Sequence, residues 1–237
     1  MSVESEETMD FNEARQARLA NKRTHLSEAE LFEICELARK TDVRDWAIIA
    51  LGFNHGLRVS ELAGGAPANK DKPAQPPLRL VDINWKEQTL TARRLKGSLT
   101  TTQPLVNLRG NPTMSGAVAL KEYMKVRIDD GSGLVFTGLK GSMVRRTLTK
   151  MFRRYCEQVS KNRVERGLEP IRENAMSFHS LKHSCATMLA SKVSNIFIVK
   201  SYLGHASISS TMQYCAPDQR ISSQEAKQVF SQAFSMV

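Results

Sequence analysis

Residues 202–215 read Y-L-G-H-A-S-I-S-S-T-M-Q-Y-C, which sets His205 and Tyr214 nine positions apart near the end of a strongly basic chain. Gly204 is a natural stop for a helix over 195–203. Three basic clusters precede this stretch: H-G-L-R-V-S-E-L around Arg58, R-R-L-K-G around Lys96 and F-H-S-L-K-H around His179. Cations together with one phenol form a set suited to breaking a phosphodiester with a tyrosine nucleophile. Attack at phosphorus builds negative charge on the non-bridging oxygens, and fixed positive donors lower that barrier.

The surrounding composition fits such a partner. The 237 residues carry a formal charge of +10, which points to a polyanion, nucleic acid first. The length is enough for one substantial core. No apolar run approaches the roughly 20 residues needed to cross a bilayer, so no membrane is expected. The acidic start M-S-V-E-S-E-E does not resemble a signal peptide. The four cysteines (35, 156, 185 and 215) have no C-x-x-C spacing. Neither a zinc site nor a disulfide framework is expected, and a reducing cytoplasm is.

Periodicity predicts a mainly α chain with a small antiparallel sheet, an α+β fold. Residues 1–25 read as a polar arm. Ser27 and Glu30 form a capping box ahead of a first helix. A second helix runs from about Asp42 to Gly56, and a short third carries Glu61 and Leu62. Residues 64–77 (G-G-A-P-A-N-K-D-K-P-A-Q-P-P) read as a surface loop. Strands are expected at 78–83, 89–94 and 102–108. Further helices are expected from Asn111-Pro112, over about 143–160 with Arg145 and Arg146 at its start, and from a Ser177 cap. Residues 161–174 read as a charged loop, and 217–234 as an amphipathic helix.

Taken singly, each chemical candidate has an ordinary reading. Arg58 pairs with Glu61 one turn on. Lys96, in a hairpin turn beside Arg93 and Arg94, merely touches phosphate. Tyr214 is a half-buried tyrosine. His179 and Lys182, at i and i+3, share a helix face, which leaves His183 buried and structural. His179 and His183 at i and i+4 also have a metal-binding spacing, but no third ligand is evident and no metal is expected. Tyr214 needs activation, because a free phenol titrates near 10. A cluster of cations would favour its phenolate.

In order and spacing these residues resemble the tyrosine recombinase (phage integrase) superfamily. Its G-[LF]-R-x-[ST]-E context is matched by Gly56–Glu61, its hairpin lysine by Lys96, and its H-x-L-R-H by His179–His183. Its L-G-H with a later tyrosine is matched by Leu203–His205 and Tyr214. The match spans residues 27–216, and R-L-K-G-S-L-T-T-T-Q-P-L further resembles recombinases that invert fimbrial promoter segments. The resemblance implies a catalytic domain over 26–216 acting as a site-specific DNA recombinase on double-stranded DNA without a cofactor. Tyr214 would form a 3′-phosphotyrosyl link while Arg58, Lys182 and His205 hold the phosphate. Lys96 would protonate the leaving oxygen, and His179 would assist proton movement at the tyrosine. Arg93, Arg94, Lys96, Arg145 and Arg146 would contact DNA, with Glu61 and His183 in support. It also implies tetramers on paired sites, a nucleoid location, and a 217–237 segment docking on a neighbouring subunit.

Two departures stand out. Lys182 occupies the position of the family's second arginine, which keeps the charge and loses the two-pronged grip. Only about 25 polar residues precede the catalytic part, where most integrases begin with a helical clamp domain. Either the chain grips DNA as an incomplete clamp, or an accessory DNA-bending or clamp protein supplies the other half. Two alternatives remain open: a DNA-binding regulator that keeps the fold without the chemistry, and a type IB topoisomerase-like nicking-closing enzyme.

Overall fold

The computed structural model describes residues 24–64, 77–94, 97–138 and 141–214. Within these residues the helices are α1 (Glu28–Thr41), α2 (Val43–Asn54), α3 (Val59–Ala63), α4 (Gly116–Val126), α5 (Arg145–Glu165), α6 (His179–Lys192), α7 (Ile196–Leu203) and α8 (Ser209–Met212). Strands β1 (Ile83–Asn84), β2 (Thr89–Ala92) and β3 (Thr101–Pro104) form an antiparallel sheet in that order. A small ladder pairs β4 (Thr137–Gly138) with β5 (Gly141–Ser142). The α+β expectation holds.

The capping box at Ser27 forms as its sequence requires. Ser27 Oγ accepts the Glu30 N–H at 3.2 Å, and the Glu30 carboxylate accepts the Ser27 N–H at 2.6 Å. Asp42 then caps α2 by accepting the N–H groups of Arg44 (2.8 Å) and Asp45 (3.2 Å). From Asp45 to Asn54 every residue of α2 is buried. From Trp46 to Phe53 the helix is apolar all round because it lies at the centre of the bundle, packed by α1, α4 and α6. The core runs without a break from Leu26 to Leu203. In the sheet, Leu90 and Ala92 of β2 point into it, with Gln103 of β3 opposite Leu90.

Several boundaries differ from expectation, each for a local reason. Residues 80–82 form a 3₁₀ turn in place of strand, because the Asp82 carboxylate accepts the Arg79 N–H at 2.9 Å. β3 ends at Pro104 on the sheet's edge, where a residue without an N–H fits. Pro112–Met114 is a 3₁₀ turn, and Ser115, not Asn111, caps the next helix by accepting the Val118 N–H. α5 continues through Glu165, into the segment expected to be loop. Arg163 reaches Glu33 of α1 (3.2 Å) and the carbonyl of Glu169 (2.8 Å), ties that composition alone does not reveal. Phe178, not Ser177, is the cap residue of α6. The expectations for residues 1–23, 65–76 and 217–234 lie outside the described residues.

Two glycines fix how α7 meets the rest of the fold. Gly56 has φ +55°, and a Cβ there would sit 2.5 Å from Leu203 Cδ2. Gly204 has φ +65°, and its Cβ would lie 2.4 Å from the carbonyl oxygen of Leu99. That approach is used, since the Leu99 N–H donates to the Gly204 carbonyl at 2.9 Å. Gly204→Ala is expected to cost about 1–3 kcal/mol, from the left-handed backbone and the backbone clash together. Equilibrium urea unfolding measures it.

Candidate active site

Arg58 is the N-cap residue of α3, in extended backbone. Its own N–H donates to Glu61 Oε2 and its Nη1 to Glu61 Oε1, both at 2.9 Å. Arg94 reaches the same carboxylate from β2's end, with Nη1 3.2 Å from Glu61 Oε2. Glu61 is buried, and the Arg94 side chain has no exposed surface. Arg94 also donates to the carbonyls of His55 (2.8 Å), Gly56 (3.0 Å) and Tyr202 (3.3 Å). One buried carboxylate thus anchors two guanidinium groups, and Arg94 ties α2, β2 and α7 together beneath Arg58.

Lys182 comes up from the first turns of α6 into this charge cluster. It is 2% exposed, and among the described residues its Nζ has no hydrogen-bond partner. His205 follows the Gly204 turn, and its Nδ1 lies 2.9 Å from the hydroxyl of buried Thr211. Thr211 is in α8, and its carbonyl accepts the Tyr214 N–H at 3.0 Å. The Tyr214 ring lies 6.4 Å from that of His205, with planes 19° apart. Tyr214 Oη is 3.0 Å from His183 Nδ1. Behind His183, the exposed His179 ring approaches edge-on, with centroids 4.4 Å apart.

A model of the phage integrase family matches residues 24–221. The chain belongs to the phage integrase family. It is 30% identical over 192 residues to tyrosine recombinase XerA of Pyrococcus furiosus, covering 80% of this chain and 56% of XerA. It is 27% identical over 200 residues to the type 1 fimbriae regulatory protein FimB of Escherichia coli K12, covering 82% of this chain and 85% of FimB. Among solved structures, XerA recombinase superposes with a TM-score of 0.62 at 22% identity, covering 87% of this chain and 65% of that one. XerH bound to its difH substrate gives 0.60 at 22% identity, covering 86% and 54%. At these identities the structural likeness is one of fold. The chain spans little more than half the length of XerA.

In this integrase-family chain, burial dominates the electrostatics of the site. It pushes the Lys182 ammonium down to about 7, and the positive charges of Arg58 and Arg94 push the same way. His205 is held down to about 4 by burial, then by Lys182 and Arg58. Burial likewise brings His183 to about 4, helped by His179, His25 and Lys182. At Tyr214 the expected pull of a cation towards the phenolate is present, from Arg58, but it is outweighed. Burial raises the group above the ordinary phenol value, and Arg58 pulls it down by less. The phenol of the DNA-free protein is therefore protonated.

Two placements from the sequence are corrected. Arg94 was expected on the DNA face; it is buried under Arg58 and its donors are taken by carbonyls and Glu61. His183 was expected to be buried and structural; it is half-buried and meets the tyrosine hydroxyl. His179 pairs with it at i+4, while Lys182 turns inward. The i, i+4 spacing of the two histidines was the available signal. Arg93 pairs with Asp82, and Arg145 and Arg146 are exposed on the first turn of α5. Lys96 lies outside the described residues. Among the described residues no group of three His, Cys, Asp or Glu is placed to hold a metal, and no helix is long and apolar enough to cross a membrane.

His55 supplies a stability prediction at the foot of the site. It is fully buried, with Nδ1 2.8 Å from Gln103 Oε1 and, among the described residues, no partner for Nε2. Burial pushes it down to about 4. The unfolded ring titrates near 6.5, so its contribution is present above that value and is lost as pH falls from about 6.5 towards 4. The loss is about 3 kcal/mol for this group alone. Urea midpoints measured from pH 7.5 to 4.5 are expected to fall steeply, and His55→Gln to flatten the curve.

Proposed function

We propose that the chain is a site-specific DNA recombinase that cuts and rejoins strands through a 3′-phosphotyrosyl link at Tyr214. One observation carries this reading: a buried Lys182 ammonium with no hydrogen-bond partner among the described residues, beside the guanidinium groups of Arg58 and Arg94, the first of which also acts on the Tyr214 phenol. A buried cation left without a partner is costly. A phosphate oxygen relieves that cost and adds the charge that Arg58 and His205 complement. Family membership and the recombinases among its relatives support the same reading.

In this mechanism Arg58, Lys182 and His205 hold the non-bridging oxygens of the scissile phosphate. Tyr214 Oη bonds to phosphorus and the 5′ oxygen departs as a hydroxyl, with Lys96 as its acid. The ester keeps the energy of the broken bond, so resealing needs no ATP. Tetramers on paired sites, an accessory clamp or DNA-bending partner and a nucleoid location belong to the same proposal.

The experiment is incubation with nicked DNA carrying inverted repeats taken from beside the coding region. A denaturant-resistant adduct, specific to site and absent in Tyr214→Phe, supports the recombinase. An adduct on any DNA supports a topoisomerase-like enzyme. Binding with no adduct supports the regulator that the lysine at position 182 brings to mind.

A further inference from the structure

We propose that His183 is the catalytic group that takes the phenolic proton of Tyr214 during strand cleavage. This rests on the recombinase reading above. The argument begins with the state of the nucleophile. The Tyr214 phenol keeps its proton in the buried site, yet Oη must lose it on bonding to phosphorus. The acceptor has to lie within hydrogen-bond reach of Oη. His183 Nδ1 stands there, at 3.0 Å.

The ring is also in a suitable form. His183 is kept neutral by burial, and the charged or titratable groups facing it are His179, His25 and Lys182, with Tyr214 opposite. A neutral imidazole has one protonated nitrogen and one lone pair. With the proton on Nε2, Nδ1 accepts from the phenol. In the step itself, the Oη–H bond breaks as Oη bonds to phosphorus, and the proton moves to Nδ1. The bond from phosphorus to the 5′ oxygen breaks, and that oxygen takes a proton from a separate acid. His183 becomes an imidazolium next to an anionic phosphate, which favours the charge.

The test compares wild type, His183→Gln and Tyr214→Phe in single-turnover cleavage of nicked DNA. Two substrates are used, one with the ordinary 5′ oxygen and one with sulfur in its place. Sulfur leaves without a proton, so it rescues a missing acid and not a missing base. His183→Gln is expected to bind DNA as wild type does and to cleave about 100-fold more slowly, with no rescue by sulfur. Fluorinated tyrosine at position 214, which gives up its proton more readily, is expected to restore part of the rate; a merely structural role would not respond. Cleavage within threefold of wild type, or rescue by sulfur, overturns the proposal. If His183→Gln does not fold, nitrogen NMR of wild-type histidines decides instead: a protonated Nδ1 on neutral His183 overturns it, and a bare Nδ1 upholds it. If wild type gives no adduct on either substrate, the recombinase reading fails first and takes this one with it.

Discussion

Tyr214→Phe is expected to abolish the covalent protein–DNA adduct while the protein still folds and binds DNA. The loss should be on the order of 10⁴- to 10⁶-fold, the scale on which removing a covalent nucleophile acts. Phenylalanine keeps the ring against His205 and His183 but has no oxygen to offer phosphorus. The folded state loses one hydrogen bond, to His183 Nδ1, worth about 1 kcal/mol at most. Adduct formation and thermal unfolding, measured on the same preparation, separate these effects. Residual adduct at more than about a hundredth of the wild-type level would transfer the nucleophile's role to another residue.

Lys182→Met is expected to move activity and stability in opposite directions. The methionine matches the length of the buried stem and removes an ammonium that has no hydrogen-bond partner among the described residues. Stability should rise by about 1–3 kcal/mol, the cost of a buried polar group left unsatisfied. Cleavage should fall roughly 100- to 1000-fold, as when one charge-stabilising donor is deleted. Opposed changes are the mark of a residue kept for function at the expense of the fold. The pH dependence gives a second readout. Lys182 titrates near 7 in the folded chain and near 10.5 when unfolded. Between those values the unfolded chain holds more protons, so the lysine makes stability rise with pH. The difference in stability between variant and wild type should therefore shrink from pH 7 to 10. A difference that does not change with pH would mean that the ammonium is not the source of the cost. Lys182→Arg tests the fit of the site: a larger group at 2% exposure overpacks it, at about 1–3 kcal/mol.

Much of the fold was legible because its signals are local. Ser27 with Glu30, Asp42 ahead of an apolar run, and Gly204 after Leu203 each act within one turn, so sequence spacing is enough. Residues 80–82 and 161–165 were not legible. An Asp82 side chain folding back on Arg79, and Arg163 reaching across to α1, depend on partners that composition does not name. The site followed the same division. Arg58 with Glu61 at i+3 could be read from the chain. The burial of Arg94 could not, since its acceptors are carbonyls scattered over α2 and α7. His183 was misplaced by ranking the i, i+3 pairing of His179 and Lys182 above the i, i+4 pairing of the two histidines. Tyr214 was misjudged electrostatically because nearby cations are visible in sequence and desolvation is not.

The hydrogen bond between Tyr214 and His183 lies within a single chain, and on the recombinase mechanism proposed above that decides who would perform each cut. A subunit arranged in this way arms its own nucleophile and borrows none from a neighbour. However many copies gather on DNA, two differently crippled subunits, one without the tyrosine and one without Arg58, have no intact set to share between them.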